Sequence, residues 1–435
     1  MKLSKAAALS LAAFVGLSLT ACGGSDSGGE PSASAAGSVD LTVSAWSPTD
    51  ASEFQKLADA FEDKNPDIKI SFADYGDSGY DAALKEALEA GQAPDIVTIR
   101  QNDSVAAWAA GKQLLDVSDV TAGLSVSGAA SYTVDGAAYA VPYRQDFWVL
   151  YYNKDLFDAA GVAYPDGSWT WDDYAAAAET LTTKLAGKDA KGAYEESWQS
   201  TVQGFAQAQT PEADLVGGED YTYLKAYYER AVALQNGGDQ ETFADVTAKK
   251  LSYESQFGQQ SAAMMAMGSW YVAALGAQQA SGEAADFAWG VAPAPQYDFS
   301  TAGLKKTPVT FGDPLGMAVN AKIDPAKIDA AKKWLRFVGS DEAGTILSGL
   351  GLFSTVSSDA VVNAYFAVEG VPSDDLSKFA LSVHTVKPEN PPHEKIAAIQ
   401  AILDKAHTAI MTAGDAAVID DEIAKAADAV KAELS

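Results

Sequence analysis

The chain has 435 residues, a formal charge of −29, and a composition that is 48% hydrophobic and 20% charged. So acidic a surface repels nucleic-acid phosphates and anionic headgroups, which excludes nucleic acid as a partner. Its single cysteine, Cys22, excludes an intramolecular disulfide.

The first predicted element is a targeting segment. Lys2 and Lys5 precede the apolar stretch 6–21, the charge, apolar and small-residue order of a secretory signal. That stretch is shorter than the ~20 residues a membrane-crossing helix needs. Its end, Leu19-Thr20-Ala21-Cys22, resembles a lipobox, in which cleavage before the cysteine accompanies attachment of a diacylglycerol to its sulfur. The segment 1–21 is therefore read as a lipoprotein signal peptide. Cys22 is the expected lipidation site, on the outer face of the cell membrane or in a periplasm where an outer membrane exists. Residues 22–38, mostly Gly, Ser, Ala and Asp, are predicted to form a flexible tether.

From Val39 to Ser435 the chain is about 400 residues long, enough for more than one core. Val39 to Ala45 alternates as a strand, and a helix follows with Phe54, Leu57 and Phe61 at three- and four-residue spacing. Ile68 to Phe72 is a second strand, and Tyr80 to Ala90 a helix with Ala83, Ala87 and Leu88 inward. Ile96 to Ile99 is a short β-branched run, predicted to be a buried strand. Val149 to Tyr152 is a further strand. Thr170 caps a helix whose inward face is Trp171, Tyr174, Ala178, Leu181 and Leu185, and Asp173 completes a capping box. Later helices carry Ile328, Ala331, Leu335 and Val338, then Ile396, Ile399, Leu403 and Ile410. Trp334, at helical spacing, is core. Strands alternating with helices imply an α/β protein with parallel pairing.

The chemistry of common enzymes is missing. There is no phosphate loop, no HExxH, no GxSxG and no zinc-ligand spacing, so no metal, cofactor or catalytic residue is expected. Gly76-Asp77-Ser78-Gly79 resembles the surroundings of a serine-protease nucleophile, but no histidine precedes Ser78; the tetrapeptide reads as a turn. With 59 acidic residues the chain offers many carboxylate pairs of the kind glycoside hydrolysis uses.

Residues 139–157, YAVPYRQDFWVLYYNKDLF, precede Gly161 and then Trp169-Thr170-Trp171-Asp172-Asp173-Tyr174. The blocks Pro94-Asp95-Ile96-Val97, Ala263-Met264-Met265 with Gly268-Ser269-Trp270, and Gly316 to Val319 with Ser340-Asp341-Glu342 follow in order. Together they resemble the extracellular solute-binding proteins of ABC sugar importers, the group that includes maltose-binding protein. The resemblance implies a type II periplasmic-binding-protein fold. Two lobes, each a mainly parallel sheet flanked by helices, would enclose a hinged cleft. It places residues 39–147 and 296–353 in the first lobe, and 148–295 and 354–435 in the second, with crossings near Phe147, Pro295 and Phe353. It also implies a sugar ligand, a permease and ATPase subunits on separate chains, and a monomer.

Sugars present hydroxyl rims and apolar CH faces, so a site needs planar aromatics beside carboxylates, amides or arginines. Trp270, at a strand end with Ser269 as an expected helix cap, matches the family's stacking tryptophan; a core tryptophan is the other reading. Asp146 lies seven residues before Asn153, the family's spacing for a sugar-contacting carboxylate, and competes with an Arg144 salt bridge as an explanation. Arg100, Gln101 and Asn102 follow the third strand, without the aromatic and Asp-Arg pair found there in the maltose binder. Trp46 and Asp50 follow the first strand. Phe311 and Asp313 precede a returning strand, and Trp198 is a second-lobe candidate. Trp169 and Trp171 read as packing. The alternatives to a sugar are another solute, such as a polyamine or phosphate ester, and a lipid-anchored glycoside hydrolase.

Overall fold

The computed structural model describes residues 38–48, 52–76, 78–217 and 220–435. The signal peptide, Cys22, the tether through residue 37, and Asp50 and Asp77 lie outside the described residues. Among the described residues no helix is long and apolar enough to cross a membrane.

Two sheets organise the body. The first has five strands in the order Ile68–Asp74, Val39–Ala45, Ile96–Ile99, Pro314–Val319, Val141–Gln145. Pro314–Val319 alone runs against the others. Ile96–Ile99 is buried along its whole length, as its β-branched run demands of a strand covered on both faces. The covering helices present the predicted stripes. Phe54, Leu57 and Phe61 of Ser52–Lys64 meet Trp334 and Leu335 of Ile328–Val338 in one core, and Phe61 packs edge-on against the fully buried Trp334 at 5.1 Å.

One helix is rotated from the expected face. In Tyr80–Ala90 the buried residues are Tyr80, Leu84 and Leu88, while Ala83 and Ala87 are only half-buried. The alanines share the spacing, but the large side chains bury more apolar area and decide the face. Gly76 and Gly79, ahead of this helix, have φ of +70° and +87°, the left-handed backbone that glycine tolerates.

The second sheet has the order Trp289–Pro293, Trp148–Asn153, Ala262–Gly268, Lys191–Tyr194, with Trp148–Asn153 antiparallel to both neighbours. Helix Trp171–Lys184 packs on it through Trp171, Tyr174, Ala178 and Leu181, and the Thr170–Asp173 capping box closes its N-terminus. His407 is buried beside Tyr228, its Nδ1 3.2 Å from the phenol oxygen, and is part of this core. Trp171 donates from Nε1 to Gln209 at 2.8 Å, a packing role as expected.

The chain leaves the first sheet after Gln145 and enters the second at Trp148. It returns between Phe311 and Pro314, later than the Pro295 boundary expected from sequence. Gln296 is the reason. Its side chain accepts from the Val309 N–H at 2.8 Å and donates to the Val309 carbonyl at 3.1 Å, holding this segment on the second lobe. Thr310 adds a bond to the Trp148 carbonyl at 2.7 Å. A third connection passes Phe353, whose carbonyl accepts from the Gln145 N–H at 2.9 Å. The first two connections touch at Gly312: a Cβ there would stand 2.2 Å from the Asp146 carbonyl oxygen. Only glycine allows that approach, so both interlobe connections are fixed against each other at one point.

Candidate ligand-binding cleft

Between the sheets lies a cavity of about 770 Å³, lined from both lobes and from the connections. The first lobe supplies Trp46, Arg100, Gln101 and Asp103 from the ends of its parallel strands. Trp46 sits edge-on to Phe54 at 4.8 Å and to Tyr80 at 5.1 Å. Arg100 is anchored to Asp81 in the first turn of Tyr80–Ala90, with Nε 3.0 Å and Nη2 2.7 Å from Oδ2. Its guanidinium also lies 5.6 Å from the Trp46 ring centre, within cation–π range. Burial raises the Asp103 carboxyl above its ordinary value.

Arg144, near the end of strand Val141–Gln145, joins Asp146 and Asp313 of the connections on the wall. Arg144 is shared: Nη2 is 3.1 Å from Asp146 and Nη1 is 3.4 Å from Glu53, which is buried at the start of Ser52–Lys64. Burial pulls this guanidinium down, but Asp146 and Glu53 together push it above its ordinary value. Both readings of Asp146 from sequence therefore meet in one residue, which is ion-paired and also on the cavity wall. Asp313 accepts from the N–H groups of Glu389 and Asn390 at 3.1 and 3.3 Å, and from the Asn390 amide at 2.7 Å. Gln400 donates to Asn390 at 2.9 Å and accepts from Gln199 at 2.6 Å, so a ladder of amides joins Asp313 to the second lobe.

The second lobe supplies an aromatic wall. Trp148 is its centre, edge-on to Trp270 at 5.7 Å and to Trp198 at 6.3 Å; Trp198 in turn meets Tyr253 at 6.2 Å. Trp198 is 41% exposed, so much of its apolar ring stays open. Trp270 ends the strand Ala262–Gly268 and enters the helix Tyr271–Ser281. Its ring folds back over Gly268, where a Cβ would stand 1.9 Å from it. Ser269 does not cap that helix. Its hydroxyl instead accepts from the Phe147 N–H at 3.2 Å and donates to Asp146 at 3.3 Å, pinning the first connection.

Of the sequence candidates, Trp46, Arg100, Gln101, Asp146, Trp198, Trp270 and Asp313 share this cavity. Two do not reach it. Phe311 is fully buried, stacked on the far side of Trp148 at 5.1 Å, because it ends a strand of the second lobe and not of the first. Asn102 is 1% exposed, turned inward beside Tyr132 by the single helical turn Asn102–Ser104. Trp148, Tyr253, Glu389 and Asn390 were not singled out in the sequence. Trp148 lay inside the quoted 139–157 block, next to Asp146. Glu389 and Asn390 lie in a proline-flanked loop with no periodicity to mark them.

Aromatic faces beside charged and amide groups in one cavity form a site for a polar organic solute. The pattern of the family described as bacterial extracellular solute-binding protein matches residues 45–345. A sugar transporter from Rhizobium etli, solved in an open conformation, is 30% identical with a TM-score of 0.80, covering 91% of this chain and 100% of its own. An ABC substrate-binding protein from Listeria monocytogenes in complex with cycloalternan shares the fold at 20% identity and a TM-score of 0.74, over 91% of this chain and 98% of that one. The sn-glycerol-3-phosphate-binding periplasmic protein UgpB of Escherichia coli (strain K12) is 32% identical over 165 residues. That match spans 35% of this chain and only 36% of the relative's length. The two sheet-based lobes, the interlobe cavity and these matches agree: the chain belongs to the bacterial extracellular solute-binding proteins, with the type II periplasmic-binding-protein fold.

Proposed function

We propose that the protein captures a carbohydrate, from one sugar unit to a short oligosaccharide, in this cleft for import by a separate ABC permease and its ATPase subunits. The observation that carries the reading is the pair of tryptophans Trp198 and Trp270, seated edge-on against Trp148 with faces suited to sugar CH surfaces, in one cavity with Arg100, Asp146 and Asp313 for the hydroxyl rims. Contacts from both lobes favour a closed arrangement over an open one, so binding shifts an interlobe equilibrium that a permease can read. The protein acts as a monomer, without cofactor and without catalysis. A phosphate ester, the ligand class in the name of the E. coli relative, has weaker support. Arg100 and Arg144 are already bonded to Asp81, and to Glu53 and Asp146, and the other ionisable side chains on the wall are mostly acidic.

The test is a melting-temperature screen of the processed protein against a sugar panel. A ligand at 100 times its dissociation constant adds ~2.7 kcal/mol to stability. Small-angle scattering with the active sugar should show a smaller radius of gyration. Turnover of a glycoside by the wild-type protein would replace this reading with the hydrolase.

Lipid attachment at Cys22 completes the proposal, holding the capture site beside the permease. Cys22→Ser should move the protein from the membrane to the soluble fraction or leave it unprocessed. A mutant that still carries lipid label and sediments with membranes rules the lipobox out.

A further inference from the structure

Charge on the cleft wall is unequal. Asp103, Asp146, Asp313 and Glu389 face two arginines, Arg100 and Arg144, and no lysine lines the cavity. Arg100 is bonded to Asp81, and Arg144 lies between Glu53 and Asp146. Asp146 thus has a counter-charge. Asp313 and Glu389 have no ion-pair partner among the described residues; what surrounds them is the Asn390 amide, two main-chain N–H groups and the Ser200 hydroxyl. Burial pushes Asp313 up to about 6, with Asp103 adding to it, and pushes Glu389 up to about 7, with Asp313 adding to it.

The same two carboxyls adjoin the aromatic wall. Ser200, which donates to Glu389, is two residues after Trp198. Asp313 lines the same cavity as Trp148, Trp198 and Trp270. A cation lodged at the carboxyls would therefore lie next to aromatic faces, whose quadrupoles attract positive charge. Among the described residues no group of His, Cys, Asp or Glu is arranged to hold a metal ion. An organic ammonium is the cation that also uses the aromatic wall.

We propose that the cleft selects a sugar bearing a free, protonated amine, its ammonium seated between Asp313 and Glu389 while its ring packs on the tryptophan wall. The proposal rests on the carbohydrate reading and narrows it to amino sugars without an N-acetyl group. The ammonium supplies the counter-charge that the pair lacks and donates to both carboxylates. A hydroxyl in its place makes only neutral-donor bonds, and an acetamido group adds bulk without charge.

The experiment is calorimetric titration of the processed protein with matched ligands: glucosamine, galactosamine and their short oligomers, the N-acetylated forms, and the corresponding hydroxyl sugars. Charge-assisted bonds predict that the preferred amino sugar binds about tenfold or more tightly than its two counterparts at pH 7.5. The gap should shrink as pH falls through 6, when Asp313 and Glu389 take up protons; Asp103, Asp146, Arg100 and Arg144 are the other ionisable groups facing the site. Titrations in two buffers of different ionisation enthalpy at pH 6.5 should show protons released on binding the amino sugar. Glu389→Gln and Asp313→Asn should each narrow the ratio between amino and hydroxyl forms. Equal or tighter binding of the hydroxyl or N-acetyl sugar overturns this inference and leaves the carbohydrate reading in place. No binding by any sugar in the panel overturns both.

Discussion

Trp270→Ala should weaken binding of the transported sugar about thirtyfold or more, a loss of ~2 kcal/mol, while the ligand-free protein keeps most of its stability. The side chain is half-buried: one edge packs against Trp148, and a face is left toward the cavity. Truncation removes that face from the ligand and leaves Gly268 uncovered. Trp334 is the contrast. It is fully buried, wedged against Phe61 and Phe337, with Nε1 3.2 Å from the Met317 sulfur. Trp334→Ala should cost ~3–5 kcal/mol of stability, as a core tryptophan does, with affinity preserved in the fraction that folds. Calorimetric titration beside a denaturation curve for each variant separates the roles. A Trp270→Ala protein that loses stability like Trp334→Ala but binds with unchanged affinity would remove Trp270 from the site.

Local signals carried far in this chain. The β-branched Ile96–Ile99 run, the Thr170–Asp173 capping box and the Phe54–Leu57–Phe61 stripe each act through neighbours a few residues away, and each appears as its spacing requires. What failed depended on partners far along the chain. Phe311 in a Thr-Phe-Gly-Asp string looked like the edge of a returning first-lobe strand. Its strand instead pairs with Thr385–Lys387, and the Gln296 side chain keeps the preceding segment on the second lobe. The chain crosses at Gly312, where the missing side chain lets its backbone meet that of Asp146. Glu389 and Asn390 become part of the cleft only because Asp313, 76 and 77 residues earlier, accepts their N–H groups. No pattern within one segment contains that pairing. Asp146 and Trp270 were legible because the family blocks around them are ordered and because an acid beside Phe147-Trp148 needs a partner or a ligand.

A stability effect as large as that of Trp334→Ala belongs to Arg144→Met. Arg144, Asp146 and Glu53 have side chains 11%, 14% and 3% exposed, so they form a nearly buried triad joining the first-lobe helix to the interlobe connection. Removing one partner of a buried pair costs ~3–5 kcal/mol, chiefly because the remaining charge is left in low dielectric without compensation. Glu53 bears that cost. Burial already holds its carboxyl above the ordinary value while Arg144 opposes the rise, so losing Arg144 raises it further. A carboxyl raised in the folded state binds its proton more tightly there than in the unfolded chain. The penalty is therefore absent below about 4.3, where both states are protonated, and grows as pH rises toward the folded value. Arg144→Met should accordingly be much less stable than wild type at pH 8 and close to it near pH 4.5. Adding Glu53→Gln should restore most of the loss at pH 8, since a neutral amide needs no counter-charge. Sugar affinity should stay weakened in that double variant, because Asp146 has lost the guanidinium that orients it beside the cleft. A destabilisation that does not change between pH 4.5 and 8, or that Glu53→Gln fails to relieve, would show that Arg144 serves by packing and not by charge.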